Sequence, residues 1–415
     1  MKTTAAKNYF KNIGVNRAVL ALSFARMADA IGNSILFIII PLYVAKLPEI
    51  YFHLPLPILV GILISAYGLI SALVQPLTGA LSDKLNKRKP LIQTGLVLIS
   101  FSTLAFILAD NFIDLLLLRI LQGIAVAITI PASMSLMALI TKKKTRGGSM
   151  GVYSMLRMVG FATGPLIGGY LQTHYGFNSA FIAGSGFIFI AMLLVQIWVK
   201  EVVTLPDKHQ KKIKIKIIDS SLLTPGLVSA ALSIFLMASA FSIVTTLENE
   251  FNAKLNMDAL GFASTFSALI FSRLIFQIPL GHYSDKIGRK PFIVLGLIIM
   301  APATLLLGEV VSVSQLIFLR LVQGFAAAAI AAPAFAVAAD LSRSGKEGRQ
   351  MSLVTTGFGL GLAAGPLIAG FLSVFFFELP FITVGAMTLA GAWIVYHYLP
   401  ETIEGAKVVV LEKRK

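Results

Sequence analysis

Apolar runs of about 20 residues, the length that crosses a bilayer as a helix, recur along this chain with short polar breaks between them. Twelve can be marked. They lie at 17–45, 58–82, 90–109, 113–140, 149–173 and 179–199, then at 222–249, 259–283, 291–309, 314–340, 350–376 and 379–399. Hydrocarbon offers no partner to a free backbone amide or carbonyl, so each run is expected to close its hydrogen bonds internally as an α-helix. The runs are also far longer than barrel strands, which removes a β-barrel. The pattern predicts an all-α membrane protein with twelve transmembrane helices.

Composition agrees, since 57% of the 415 residues are hydrophobic and 13% charged, at a mean hydropathy of +0.84, where a soluble domain carries about 25% charge. A net charge of +16 would suit a nucleic-acid surface, but its location says otherwise. Of 35 lysines and arginines, 28 fall in the two tails and in every second link between runs; Lys46 and Lys254 alone occupy the alternate links, and five arginines lie inside runs. By the positive-inside rule both termini are expected in the cytoplasm, with an even number of crossings of the cell (inner) membrane. The charge then needs no nucleic acid as partner. The chain has no cysteine, so disulfides and thiolate metal sites are excluded. The first run is too long for a signal-peptide core and is expected to stay as a helix. The longest polar link, 200–221, is rich in lysine and reads as a cytoplasmic connector between a bundle at 1–199 and a second at 222–415.

That division rests on an internal repeat. GALSDKLNKRKP at 79–90 returns as GHYSDKIGRKP at 281–291, LLLRILQG at 116–123 as IFLRLVQG at 317–324, and GPLIGGYL at 164–171 as GPLIAGFL at 365–372. Arg119 and Arg320, Gly123 and Gly324, and Gly164 and Gly365 each stand at one common offset. The fold class expected is therefore two pseudo-symmetric six-helix bundles.

On these residues the sequence resembles the major facilitator superfamily, and within it the drug:proton antiporter branch, over nearly the whole chain. The loop signature is matched by Gly79, Leu81, Asp83, Lys84 and the basic run that includes Arg88, with Asn86 where glycine is usual. The second copy keeps Gly281, Asp285, Lys286, Gly288, Arg289 and Lys290, with Tyr283 in place of leucine. LPET at 399–402 resembles the family's exit from its last helix. The resemblance implies that the two loops gate the transporter as a cytoplasmic latch and that Arg119 takes part in proton coupling. It also implies that Gly160, Gly164, Pro165, Gly168 and Gly169 form the antiporter motif, the residue-level argument for export. The same glycines would equally serve as a small-residue packing seam, and Asp83 as a helix cap or ion-pair partner.

An ionisable group inside a span is costly and needs a partner or a task. Asp29, near the middle of the first run, is the carboxylate expected to exchange a proton; the competing reading is a static ion pair with Arg26, one turn away. Arg157 and Arg273 are further in-span cations, and Arg157 is expected to face the cavity and meet Asp29. Glu248 is a second carboxylate candidate for coupling, whereas Glu250 reads as a solvated mouth residue. Asn33, Tyr67, Gln75, Arg273 and Gln277 are expected to line a central cavity. The copies are unequal: aligning MADA at 27–30 with MASA at 237–240 puts Ser239 opposite Asp29, and Phe358 stands opposite Arg157.

The reading is a proton-coupled exporter of small amphipathic or drug-like molecules, working as a monomer in the lipid bilayer by alternating access, with no catalytic residue, cofactor or metal. A transporter of one metabolite or lipid is the alternative. A membrane-embedded enzyme or receptor is disfavoured, because no GxxxxGK[ST] or GxSxG motif occurs and the five histidines lack metal-ligand spacing.

Overall fold

A computed structural model of the protein describes residues 16–48, 53–85, 87–141, 146–201, 224–341 and 347–403. Most of the 200–221 connector lies outside these residues, as do Asn86 and the side chain of Asp83. Among the described residues are thirteen α-helices: α1 (Arg17–Val44), α2 (Leu56–Leu85), α3 (Lys89–Ala105), α4 (Phe112–Ile140), α5 (Arg146–Tyr175), α6 (Phe177–Trp198), α7 (Pro225–Thr246), α8 (Glu248–Leu255), α9 (Ala259–Ile287), α10 (Arg289–Leu305), α11 (Val313–Asp340), α12 (Glu347–Leu372) and α13 (Leu379–Tyr398). Twelve are long, and α8 is a short insertion. Eleven of the long helices are apolar enough throughout to count as spans. The exception is α5, where Arg157 and a run of glycines dilute the apolar character.

The seventh run differs from its prediction. Rather than continuing to residue 249, α7 ends at Thr246, Leu247 leaves helical geometry, and α8 starts at once with Glu248 and Glu250 in its first turn. Carboxylates suit the positive end of a new helix dipole. Other boundaries follow local chemistry twice over. Asn111 caps α4 by accepting from the Asp114 amide, and Ser312, at the repeat offset, caps α11 by accepting from the Gln315 amide. Gly288, with φ of +127°, makes the turn into α10 that a side chain would resist.

Each half is organised around its first helix. In the first half α1 packs on α5 and α6, and in the second α7 packs on α12 and α13. The approach is close because a Cβ on Gly160 would overlap the Met27 carbonyl and one on Gly164 would overlap Ser34 Oγ; Gly361 and Gly365 meet the Phe235 carbonyl and Ser242 Oγ in the same way. These contacts fix the true correspondence of α1 and α7. Met27 matches Phe235 and Ser34 matches Ser242, so the residue opposite Asp29 is Met237, not Ser239. The MADA/MASA alignment was two residues out because small residues recur in both helices and sequence similarity alone does not fix their register.

The halves meet crosswise, α2 on α12 and α5 on α9. Contacts concentrate at the face away from the basic loops. There Gly169 receives the backbone of Ala259 and Leu260, Gly370 receives that of Pro57 and Ile58, Asn249 donates to the Pro41 carbonyl at 2.9 Å, and Thr173 donates to Asp258 at 3.4 Å. Toward the basic face α2 leaves its partner: beyond Ala72, which touches Gly359, Leu73, Leu77, Leu81 and Leu85 are exposed. Among the described residues, then, the halves close at one face and part along α2 toward the other.

Candidate functional site

Asp29 sits midway along α1 with 2% of its surface exposed. Arg26, one turn earlier, pairs with one carboxylate oxygen. Asn33, one turn later, donates to the other at 2.7 Å and to the Asp29 carbonyl at 2.9 Å. Asn33 is thus held to Asp29 by both bonds of its amide nitrogen. The space beside the carboxylate lies within the first half, lined by Arg26, Leu96, Thr129, Ser133 and Tyr153 among others. Arg157 stays within electrostatic range of Asp29 but makes no hydrogen bond to it; its guanidinium lies over the Phe161 ring, 5.1 Å from the centroid. The expected meeting of Arg157 with Asp29 is therefore corrected, because Arg26, three residues away on the same helix face, already holds that position.

Arg119 and Arg320 are buried in matching surroundings. Arg119 donates to Gln122 Oε1 at 3.1 Å, and Gln122 donates on to Thr103 Oγ1 at 2.9 Å. Arg320 donates to Gln323 Oε1 at 2.8 Å, and Gln323 to Thr304 Oγ1 at 3.0 Å. The i,i+3 spacing within RILQ and RLVQ creates the first link. Tyr67, on the neighbouring α2, lies under Arg119 at 5.4 Å, and Phe241 under Arg320 at 5.7 Å. A network repeated in both halves gives each buried cation one neutral acceptor, although Arg119 Nε and Arg320 Nε and Nη2 stay buried without a partner among the described residues.

Of the other expected cavity residues, Arg273 and Gln277 share one face of α9, with Arg273 Nε donating to Gln277 Oε1 at 3.2 Å. Gln75 and Tyr67 are half-buried on α2. Across the seam, Arg157 stands on α5, the helix that packs on α9.

Gly160, Gly164 and Gly168 press α5 on α1, whereas Gly169 turns outward to the other half; Pro165 interrupts the helix between them. These glycines thus join an internal seam to the inter-half seam. At the basic face Gly79 and Gly281 approach Pro131 and Ala332 of their own halves. Arg289 pairs with Asp285 at 3.2 Å and Asp340 at 2.8 Å, while Glu401 accepts from the Arg289 and Lys290 amides at 2.9 and 3.1 Å. In the first half Glu201 accepts from the Arg88 and Lys89 amides at 3.1 and 2.8 Å. Sequence reasoning passed over Asp340 and the Glu201/Glu401 pair. A signal existed for the pair: VKE at 199–201 and LPE at 399–401 both follow the last helix of a half.

Glu248 is fully buried, and neither carboxylate oxygen has a hydrogen-bond partner among the described residues. Burial first, and the neighbouring Glu250 second, push its carboxyl well above the usual range. Glu250 is half-buried with Oε2 enclosed and is likewise raised by burial. It is not the solvated mouth residue expected.

Two crosswise-packed six-helix halves with a repeated loop and a repeated Arg–Gln network match a known architecture. The sequence profile of the Major Facilitator Superfamily matches residues 22–274 and 227–414. The chain belongs to this superfamily. As a member it is a multi-pass membrane transporter of small molecules and not an enzyme. It is 28% identical over 324 residues to the multi-drug resistance efflux pump PmrA of Streptococcus pneumoniae, covering 74% of this chain and 77% of that one. To the multidrug resistance protein MdtG of Klebsiella pneumoniae it is 27% identical over 365 residues, covering 85% and 86%. Among solved structures, a bacterial homolog of the human lysosomal transporter Spinster, inward-facing and unoccupied, superposes with a TM-score of 0.75 at 16% identity, covering 92% and 96%. The nucleoside transporter NupG gives 0.76 at 12% identity, covering 93% and 100%. At such identities these two speak for the fold alone.

Proposed function

We propose that the protein exports small amphipathic or drug-like molecules in exchange for protons, alternating between states open to one face and then the other. The observation that carries this is Asp29, a carboxylate enclosed in the middle of a span and held by Arg26 and Asn33. A proton arriving there breaks the ion pair, and a freed Arg26 must find a new partner, which couples protonation to rearrangement of α1. The efflux names of PmrA and MdtG support export and a drug-like cargo. The basic loops support an orientation with both termini in the cytoplasm of the cell membrane, so that the parted face is the inward one. The bundles at 1–199 and 222–415, joined by the 200–221 connector, would then rock as units, and nothing in the mechanism requires more than a monomer. Arg119, Arg157 and Glu248 would tune or accompany the proton step. The two loop clusters around Asp83 and Arg88, and around Asp285 and Arg289, would bias the states.

The test is a substrate panel in proteoliposomes under an imposed pH gradient, comparing wild type with Asp29→Asn. Wild type should move at least one amphipathic substrate only with the gradient, and the variant should lose that dependence while inserting normally. Movement indifferent to the gradient for every substrate would defeat proton exchange.

A further inference from the structure

We infer that the seam between the halves is built for amphipathic organic anions, with the acidic head taken by Arg157 and Arg273 and the apolar body by a bridge of phenylalanines. This deepens the export reading and rests on it for the direction of movement, but not for binding.

Five arginines lie inside the spans: Arg26, Arg119, Arg157, Arg273 and Arg320. Asp29 is the carboxylate in their midst, because Asp83, Asp114, Asp285 and Asp340 stand at helix ends. Arg26 occupies Asp29, and Arg119 and Arg320, no more than 3% exposed, are enclosed within their own halves beside glutamines. The remaining two stand on α5 and α9, antiparallel helices that pack on each other across the seam; with Gly169 seated against Leu260, Arg157, twelve residues before the one, comes level with Arg273, thirteen after the other. Arg157 Nε is buried with no hydrogen-bond partner, and Arg273 has the neutral Gln277. Two like charges brought together in a low-dielectric seam repel, and a bound anion between them would turn that repulsion into two charge-assisted contacts. A guanidinium is shaped for this, since its planar fork matches both oxygens of a carboxylate or phosphonate. Neither arginine is sealed off, both being half-buried.

The apolar side is continuous with the charge. From Arg157 the stack runs through Phe161 to Phe37 at 6.2 Å, across the seam to Phe266 at 5.9 Å, and on to Phe241 at 5.1 Å, which lies under Arg320. This aromatic bridge joins α5 and α1 of one half to α9 and α7 of the other. Phe266 is enclosed in the core, so a ring or acyl body would lie against the half-buried Phe161 and Phe37, leaving its acidic group beside Arg157 and Arg273. A cationic ligand in the same place would add a third positive charge, a mismatch that favours rejection.

The test uses the purified full chain and three ligands of one shape: naphthoate, naphthamide and naphthylmethylamine. By calorimetric titration in detergent, naphthoate should bind at least about tenfold more tightly than the neutral amide, and the amine least. Arg157→Gln and Arg273→Gln should each bring naphthoate to within about twofold of the amide while leaving amide binding in place, which reports an intact cavity. Arg157→Lys should keep part of the preference. An amine bound as well as the acid, a preference untouched by either glutamine variant, or no binding of any of the three overturns the proposal. Flux in proteoliposomes separates the two claims. Naphthoate bound in this arginine-dependent way but not moved under a pH gradient would sink export and leave the site standing, whereas preferential binding and movement of the amine would do the reverse.

Discussion

The α1–α5 pair of the first half and the α7–α12 pair of the second are one scaffold carrying different chemistry. Both are drawn together by glycines at matching positions, and in each a serine near the middle of the first helix donates across the seam, Ser34 to the Gly160 carbonyl at 3.3 Å and Ser242 to the Gly361 carbonyl at 3.3 Å. Yet at the corrected register Arg26 and Asp29 correspond to Ile234 and Met237, and Arg157 to Phe358. The close backbone approach is common to both copies. The ion pair stands in one, and each further buried charge would cost several kcal/mol unless matched.

The largest expected effect separates the halves. Asp29→Asn should reduce gradient-driven transport to the level of protein-free vesicles, while Met237→Leu should leave it near wild type; equal losses from both would mean that the site is structural. Next, Gly164→Leu and Gly365→Leu should be equally damaging, because each drives a side chain into a neighbouring serine and backbone. Overpacking of this kind costs roughly 1–3 kcal/mol or more, and yield together with melting temperature in detergent would measure it. A large difference between the two would break the claim of one scaffold.

A smaller and again symmetric effect is expected from Gln122→Ala and Gln323→Ala. Each strands a buried arginine and should lower stability by about 1–3 kcal/mol, read by thermal melting. If Arg119 also serves the proton step, Gln122→Ala alone should in addition shift the pH profile of transport. The smallest effect belongs to Glu248. Its raised carboxyl keeps a proton in the folded state that the unfolded chain has lost, so folding binds protons and stability falls as pH rises above the ordinary 4.5. Glu248→Gln should melt like wild type below that pH and higher above it, with the gap widening as pH rises toward the shifted value. Coincident melting curves at every pH would show that Glu248 is solvated.

Much of this was legible because the bilayer imposes a length and a polarity that a one-dimensional pattern records. All twelve long helices fell within a few residues of their apolar runs, and even α5, the least apolar, was marked by the polar breaks on either side. The break at Leu247 was missed since hydropathy averages over a turn and cannot register one residue leaving helical geometry. Within the site, Arg26 and Asp29 were readable from their spacing, as was the burial problem of Arg119. Its solution was not foreseen, although Gln122 stood in the motif, because the second link to Thr103 comes from another helix. The same limit hid Asp340 as the partner of Arg289.

The closed face is joined by glycine-to-backbone packing and a few hydrogen bonds, and among the described residues no ion pair crosses between the halves. Such a closure is electrically silent. Its opening should be nearly indifferent to ionic strength, and should respond instead to whatever changes the fit of surfaces, such as bilayer thickness, lateral pressure and temperature. The membrane itself would then set how readily this door opens.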